Sequence, residues 1–267
     1  MTTHDTFRTL HQGPEILLLP NAWDAGSARL IESLGAKAIA TTSAGLAWSR
    51  GYRDGDALPI EHLLVAVREI ARVIRVPLSI DVEGGYSTDA DAVAHLAMDV
   101  GKAGAAGINI EDGAASPELT CAKIEAIKQG ASRIGRDLFI NVRTDVYLRS
   151  LAAGDAAIKE IIQRAGRYRA AGCDGLFVPG LVDEPAIKAI VAAIAPLPLN
   201  LMLMPGLPPI EALQSLGVRR VSAGSALAQA ALGCTSLLAK DFLDGKLAQS
   251  LLAPLDYSII NRLFPDA

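Results

Sequence analysis

The segment that decides the fold reads Ser79-Ile80-Asp81-Val82-Glu83-Gly84-Gly85-Tyr86, a short apolar run that ends in two carboxylates and a pair of glycines. Two later segments repeat this plan. Residues 106–110 run into Glu111 and Asp112, and residues 138–142 run into Arg143, Thr144 and Asp145. Charged side chains are seldom buried unless they pair or bind a metal. Strands that end in charge at one rim therefore indicate a site for an anionic substrate and a hard cation, with oxygen ligands that favour Mg²⁺ or Mn²⁺ over zinc.

Short strand-like runs and longer helical runs alternate along the rest of the chain. Strands are predicted at residues 16–19, 37–42, 77–81, 107–111, 138–143, 175–178, 199–204 and 220–223. Helices are predicted between them at residues 24–34, 60–74, 88–102, 119–134, 155–171, 184–195 and 209–216. This alternation predicts an α/β protein with a (β/α)₈ TIM-type barrel, whose active site lies at the carboxyl ends of the strands. A doubly wound sheet is the alternative, but it normally has a glycine-rich turn after the first strand, and residues 19–24 have none.

The chain is expected to form a single domain over residues 1–267, with the barrel at about residues 14–240. Further apolar helices are predicted at residues 226–238, 242–251 and 255–264. The helices at about residues 241–267 exceed what a barrel needs and indicate an oligomer contact.

Composition excludes several classes of protein. With 51% apolar side chains and a net charge of −4, the chain has no basic excess that would attract nucleic acid. No apolar run reaches the length of a membrane span, and residues 1–12 lack the apolar core of a secretory signal. Cys121, Cys173 and Cys234 are too scattered for a disulfide framework. We therefore expect a cytoplasmic enzyme with no nucleic-acid or membrane partner.

Several segments occur in the order seen in the isocitrate lyase and phosphoenolpyruvate mutase superfamily. They read Asn21-Ala22-Trp23-Asp24-Ala25-Gly26-Ser27-Ala28, Thr42-Ser43-Ala44-Gly45-Leu46, Gly51-Tyr52-Arg53-Asp54, Asp81-Val82-Glu83-Gly84-Gly85-Tyr86, Ile110-Glu111-Asp112 and Val142-Arg143-Thr144-Asp145. The resemblance covers about residues 14–235. It is strongest to the short bacterial branch that includes 2-methylisocitrate lyase, oxaloacetate decarboxylase and phosphoenolpyruvate mutase. One such segment is weak evidence, but a full set in register is strong.

The resemblance implies a metal site. Asp81 matches the carboxylate that contacts Mg²⁺, directly or through water, while Asp54, Glu83 and Glu111 match acids that hold the metal's water shell. Glu83 stands where many relatives have Asp, and its extra methylene keeps the charge but moves the oxygens. Asp56 is the alternative to Asp54, although the segment Gly51-Tyr52-Arg53-Asp54 favours Asp54.

The resemblance also implies substrate-binding and catalytic groups. Arg143 matches the arginine that pairs with the substrate carboxylate, and Tyr86 matches an aromatic residue near the substrate that can donate a hydrogen bond. The loop after the second strand matches one whose backbone N–H groups hold the substrate, with a glycine that permits close approach. Its residues are Ser43, Ala44, Gly45 and Leu46. Catalytic roles are expected for Arg143, Tyr86 and Ser43, and Asp81 is also expected to contact the substrate.

The implied activity is Mg²⁺-dependent C–C bond cleavage of a small 2-oxo or 2-hydroxy di- or tricarboxylate through an enolate. The loop after Glu111 departs from the family, because it has neither the K-[KR]-C-G-H motif of the lyases nor the P-K-x-N-like motif of the mutases. A P–C bond enzyme of the phosphoenolpyruvate mutase type and a catalytically weak 2-oxo acid binder therefore remain alternatives. Cys121 can be an acid on a lid or a small residue in a helix. Asp24 can serve the site or cap the first helix.

The resemblance further implies a homotetramer in which subunits exchange a C-terminal helix. Apolar residues near the end of the chain suit this contact. They are Leu251, Leu252, Leu255, Ile259, Ile260, Leu263 and Phe264.

Overall fold

The computed structural model describes residues 3–135, 137–246 and 254–264, in which short strands alternate with helices. The strands in these ranges are β1 (Leu17–Leu19), β2 (Asn21–Ala22), β3 (Ile39–Thr41), β4 (Leu78–Asp81), β5 (Gly107–Glu111), β6 (Phe139–Arg143), β7 (Gly175–Phe177), β8 (Leu199–Met202) and β9 (Arg220–Ser222). The helices in the same ranges are α1 (Thr3–Leu10), α2 (Ala25–Ser33), α3 (Ser43–Ser49), α4 (Ile60–Val73), α5 (Ala90–Lys102), α6 (Pro117–Arg133), α7 (Gly154–Ala171), α8 (Glu184–Ile194), α9 (Ile210–Ser215), α10 (Ala226–Leu243) and α11 (Tyr257–Arg262).

The strands form one parallel sheet in the order β1-β9-β8-β7-β6-β5-β4-β3-β2. Pro20 separates β1 from β2, because proline has no N–H to donate to a neighbouring strand. Its carbonyl accepts the Ala40 amide at 3.1 Å. Because β1 pairs with β9 and β2 pairs with β3, this interrupted segment joins the two ends of the sheet. The predicted (β/α)₈ barrel is confirmed, with β1 and β2 sharing the first barrel position.

Local sequence accounts for where helices begin and end. The Asp24 carboxylate accepts the Ser27 amide at 2.6 Å, and the Ser27 hydroxyl accepts the Asp24 amide at 3.1 Å, which is a capping box at the start of α2. The interpretation of Asp24 as a helix cap is thus confirmed. The last helix of the barrel, α10, runs unbroken to Leu243, so the predicted break near residue 240 is wrong. Leu251 and Leu252 lie outside the described residues.

The interior of the barrel is polar at mid-height, where such barrels usually carry branched apolar side chains. Asn109 Oδ1 accepts the Asn141 side chain at 2.9 Å and, from across the barrel, Arg220 Nη2 at 3.1 Å. Asn200 and Ser222 form a further buried pair at 3.4 Å. Between the sheet and the helices the core is apolar. The barrel therefore has an apolar outer layer and a hydrogen-bonded centre.

Helix α1 closes the amino end of the barrel. The ring of Phe7 lies 5.3 Å from the ring of Phe139 between centroids, and the ring of His11 stacks on Phe139 at 4.2 Å. Gly107 permits this approach, because a Cβ at that position would lie 2.8 Å from Phe7 Cε1. The opposite, carboxyl end holds the charged residues at the ends of β4, β5 and β6. Across the described ranges, no helix combines the length and apolar character that crossing a membrane requires.

Candidate active site

Arg143, at the end of β6, is held between two carboxylates. Its Nη1 lies 2.6 Å from Glu111 Oε2, and its Nε and Nη2 donate to the two carboxylate oxygens of Asp145 at 2.6 and 3.1 Å. Register places Glu111 directly beside Arg143 on the neighbouring strand. Burial alone would lower the pKa of Arg143, but Glu111 and Asp145 raise it, so the guanidinium stays charged. Three of the five N–H donors of an arginine are engaged in this way.

Glu111 and Asp81 have raised pKa values. Burial is the main cause for Glu111, which reaches a pKa of about 8 because repulsion from Asp81 and Asp145 adds to burial, while Arg143 opposes it. Burial also raises the pKa of Asp81, again opposed by Arg143. The Asp81 carboxylate accepts the backbone amides of Glu83, at 3.1 Å, and Ser43. Asp81 is therefore positioned by the backbone, and Glu111 by its ion pair with Arg143.

Glu83 joins two loops at the rim. Its Oε1 accepts the Tyr86 hydroxyl at 2.9 Å, and its Oε2 accepts the Asp56 amide. All three residues have positive φ values, 52° for Glu83, 59° for Tyr86 and 55° for Asp56. Such values are uncommon outside glycine and are kept where surrounding structure enforces them. Burial is the main cause of the raised pKa of Glu83.

The remaining predicted residues lie between β3 and β4, on α3 and on the loop that follows it. Asp54 is exposed, but its charge still acts on Asp81 and Glu83. Ser43 and the three residues after it form the first turn of α3, with the Leu46 amide donating to the Thr42 carbonyl at 3.0 Å. A Cβ on Gly45 would lie 2.8 Å from Trp23 Cβ. The glycine therefore serves the packing of α3 against Trp23. Ala44 is buried beside it.

The acidic oxygens fit a divalent cation by their chemistry. Asp81, Glu83 and Glu111 offer hard oxygen ligands, and burial is the main cause of their raised pKa values, so a bound cation would favour their charged forms. Mg²⁺ keeps several waters and needs few protein ligands. Among the residues that the structure describes, no three His, Cys, Asp or Glu side chains are arranged to hold a metal ion by themselves. The donor set thus fits a cation bound partly through water.

A cavity of about 360 Å³ opens beside Glu111 and Tyr86. Its wall also includes Gly113, Lys123 and Arg149. A larger groove of about 760 Å³ lies elsewhere, on the outside of β1, and is lined mainly by apolar residues and no predicted site residue. The smaller cavity is therefore the candidate substrate pocket, because it alone of these two adjoins the charged rim.

Sequence reasoning missed Lys123, although a signal was present. Lys123 is buried, on the same face of α6 as Thr120, Ile124 and Ile127, and a cation on a buried helical stripe needs a partner. Its Nζ donates to the Gly84 carbonyl at 2.7 Å and so fixes the glycine turn after β4.

Cys121 lies on α6 and is partly buried. Burial is the main cause of the raised pKa of its thiol, and Glu125 adds to it. The cysteine is thus not set up as a thiolate.

Comparison with known proteins gives a family. A family model described as phosphoenolpyruvate phosphomutase matches residues 7–243. An uncharacterized protein of Mycobacterium tuberculosis (strain H37Rv) is 39% identical over 246 residues, which are 90% of this chain and 90% of its own. Oxaloacetate decarboxylase of Rhodopseudomonas palustris (strain BisB5) is 28% identical over 270 residues, 96% of this chain and 90% of its own. A solved structure from Burkholderia cenocepacia J2315, described provisionally as a lyase or mutase, has a TM-score of 0.88 at 32% identity and covers 97% of this chain and 94% of its own.

The match spans the barrel, its charged rim and all of α10. It includes every segment on which the sequence resemblance rests, so that prediction is confirmed. The superfamily contains lyases as well as mutases. The chain belongs to the phosphoenolpyruvate phosphomutase family, within the isocitrate lyase and phosphoenolpyruvate mutase superfamily.

Proposed function

We propose that the protein is a divalent-metal-dependent lyase or decarboxylase that cleaves a C–C bond of a small 2-oxo or 2-hydroxy di- or tricarboxylate through an enolate. The observation that carries the proposal is the Arg143 guanidinium beside Glu111, with the buried Asp81 close enough to influence both. One cation with N–H donors to spare, next to buried acids, suits an anionic substrate that also binds a metal.

Arg143 binds the substrate carboxylate in this proposal. Glu111 and Asp145 engage three of its five N–H donors, which leaves two for a substrate carboxylate, and a planar guanidinium matches a carboxylate better than lysine does. Ser43 contributes by fixing Asp81 through its backbone amide. Ala44, Gly45 and Leu46 keep that amide in place, because they pack the first turn of α3 into the core.

Asp81, Glu83 and Glu111 would hold the metal, Mg²⁺ or Mn²⁺, with Asp54 near its water shell. When bound, the metal supplies Lewis-acid stabilisation of the enolate charge. Hydrogen bonds within the protein keep these acids in place. The Asp81 backbone amide donates to the Thr41 hydroxyl at 2.9 Å. The Tyr86 hydroxyl similarly fixes one oxygen of Glu83.

Tyr86 is the proposed proton donor. When the C–C bond breaks, its electron pair stays on the enolate, and a proton must then reach C3. Burial and the neighbouring Glu83 raise the pKa of Tyr86 above its ordinary value, so the hydroxyl keeps its proton at neutral pH. We propose that the tyrosine donates this proton once its hydroxyl turns from Glu83 Oε1 to the substrate carbon, and that solvent returns one to it afterwards.

The test is an NMR turnover screen with Mg²⁺ and a matched EDTA control. The substrates are oxaloacetate, isocitrate, 2-methylisocitrate, 2-oxoglutarate and phosphonopyruvate, with oxaloacetate first because a full-length relative is named as its decarboxylase. We expect Mg²⁺-dependent pyruvate, glyoxylate or succinate. Phosphoenolpyruvate formed from phosphonopyruvate would replace the proposal by mutase chemistry, and binding without turnover would replace it by the weak binder.

Two variants sharpen the screen. Asp81→Ala should abolish turnover, because it removes the carboxylate that Ser43 and Glu83 position. Cys121→Ser should leave turnover within about twofold, because Cys121 does not line the cavity beside Glu111 and Tyr86. Loss of turnover in Cys121→Ser would move the general acid from Tyr86 to Cys121.

A further inference from the structure

We infer that Arg149 binds the second carboxylate of the substrate and so makes the site selective for dicarboxylates over the matching monocarboxylates. The inference rests on the proposed function, since it assumes that Arg143 binds the first carboxylate. Arg149 follows β6 by six residues and lines the same cavity as Glu111 and Tyr86. Arg149 is therefore on the wall of the candidate substrate pocket, on the loop after β6, and Glu111 on the same wall contacts Arg143 Nη1 at 2.6 Å.

The spacing of the two arginines is set by one shared carboxylate. Asp145 accepts Arg143 Nε at Oδ1 at 2.6 Å, and Arg149 Nε approaches Oδ2 of the same group at 3.4 Å. The two guanidinium groups thus flank a single carboxylate. Two guanidinium groups on one carboxylate suit a small dianion, whose two ends would meet one arginine each.

Arg149 has a fixed backbone and a loosely held side chain. Its amide donates to the Asp145 carbonyl at 2.9 Å, while the side chain is 50% exposed. The contact to Asp145 is long, and Arg143 already takes both oxygens of that carboxylate at shorter distances. A substrate carboxylate would be a better partner for Arg149 than Asp145 is, because charge-assisted hydrogen bonds are shorter than 3 Å.

Small residues lie next to Arg149 on the cavity wall. A Cβ on Gly113 would be in van der Waals contact with Arg149 Nη2, at 3.7 Å, and Ala114 and Ala115 continue the wall with small side chains. The other cation on the described wall is Lys123, which donates to the Gly84 carbonyl and faces Asp56. Its charge is used within the protein, which leaves Arg149 to meet the ligand.

The experiment compares malate with lactate, which differ by one carboxylate, in ligand-detected NMR titrations with saturating Mg²⁺. Wild type should bind malate more tightly. Arg149→Gln should weaken malate binding about 10- to 100-fold, the range for loss of a charged hydrogen bond, and leave lactate unchanged. Arg149→Lys should recover part of the loss. The control is Arg167→Gln, since Arg167 is similarly exposed and pairs with Glu118 away from the cavity.

Three outcomes would overturn the inference. They are unchanged malate affinity in Arg149→Gln, an equal loss for malate and lactate, and a wild type that does not distinguish the two ligands. Failure of the proposed function looks different. If the turnover screen is negative but Arg149→Gln still loses malate selectively, the dicarboxylate subsite stands in a protein that binds without catalysis.

Discussion

Asp112 accepts the backbone amide of Asp145 at 2.9 Å, which ties the loop after β5 to the loop after β6. The buried Asp112 carboxylate also accepts Arg164 Nη1 at 2.8 Å and the Tyr168 hydroxyl at 2.7 Å, both from α7. Since Asp145 in turn holds Arg143, helix α7 stabilises the position of the candidate substrate-binding arginine from behind the rim.

This arrangement predicts unequal costs for two substitutions. Asp112→Ala should lower the free energy of unfolding by about 3 kcal/mol, because it removes the shared acceptor of Arg164 Nη1, the Tyr168 hydroxyl and the Asp145 amide and leaves the buried Arg164 with its contact to Glu160. Tyr168→Phe should cost only about 1 kcal/mol, because Asp112 keeps its other two donors. Urea unfolding measures both values. Equal costs for the two variants would show that the ion pair between Asp112 and Arg164 adds nothing to stability beyond the hydrogen bond from Tyr168.

We expect removal of the Tyr86 hydroxyl to slow turnover. Tyr86→Phe should reduce kcat by about 100-fold with little change in KM, as expected for loss of a positioned acid. Tyr257→Phe is the control, because Tyr257 is 79% exposed and lies on α11. Steady-state kinetics on the best substrate of the screen gives both constants. A change confined to KM would assign Tyr86 to substrate binding instead of proton transfer.

The lowered pKa of His11 allows us to predict part of the pH dependence of the free energy of unfolding. Burial, and next the charge of Arg220, lower the pKa of His11 to about 3. Between its unfolded pKa of about 6.5 and this value, the unfolded state binds a proton that the folded state does not. The free energy of unfolding should therefore fall with decreasing pH by up to about 1.4 kcal/mol per pH unit from this group, starting near pH 6.5.

The variant His11→Phe isolates that contribution. It keeps an aromatic ring against Phe139 and removes the titration. Urea unfolding at pH 6 and pH 5 should show a shallower slope for the variant than for the wild type. His95→Gln, on the exposed side of α5, is the matched control. Identical slopes for His11→Phe and the wild type would contradict the prediction.

The expected homotetramer remains a prediction, and two exposed apolar surfaces support testing it. Leu18 on β1 is 53% exposed and lines the 760 Å³ groove, although strands of such barrels are normally covered by helices on their outer side. On α10, Leu237 and Phe242 are 69% and 61% exposed. Leu18→Glu should reduce the mass measured by light scattering, whereas Val65→Glu on α4 should not. A monomeric wild type at micromolar concentration would contradict the assembly.

The barrel could be predicted because the signals for its strands and helices come from residues that are close together in the sequence. Each strand is a short apolar run, and turns such as Gly172, with a φ of 106°, end the helix before it. Helix α1 was missed because residues 3–10 are mostly polar, and the helix is anchored by Phe7 against the distant Phe139. Helix α3 is short and follows β3 directly, where a loop was expected.

At the site, strand endings predicted which residues would share a rim, and the structure brings Asp81, Glu111 and Arg143 together there. The spacing of residues in the sequence could not show that the N–H donors of Arg143 would be shared between Glu111 and Asp145. Nor could it show that Gly45 serves packing against Trp23, since those contacts depend on how separate segments meet in space. The roles of Asp54 and Leu46 stay predictions.

The polar centre of the barrel has a consequence for how the strands find one another during folding. Asn109 meets Asn141 beside it and Arg220 from across the barrel only in the native strand alignment. Slipping β5 by one residue would turn Asn109 outward into the apolar layer and remove the acceptor of Arg220 Nη2, in a guanidinium whose Nε and Nη1 already have no hydrogen-bond partner. Because unpaired buried polar groups are costly, such misaligned barrels are disfavoured more strongly than a wholly apolar interior would disfavour them.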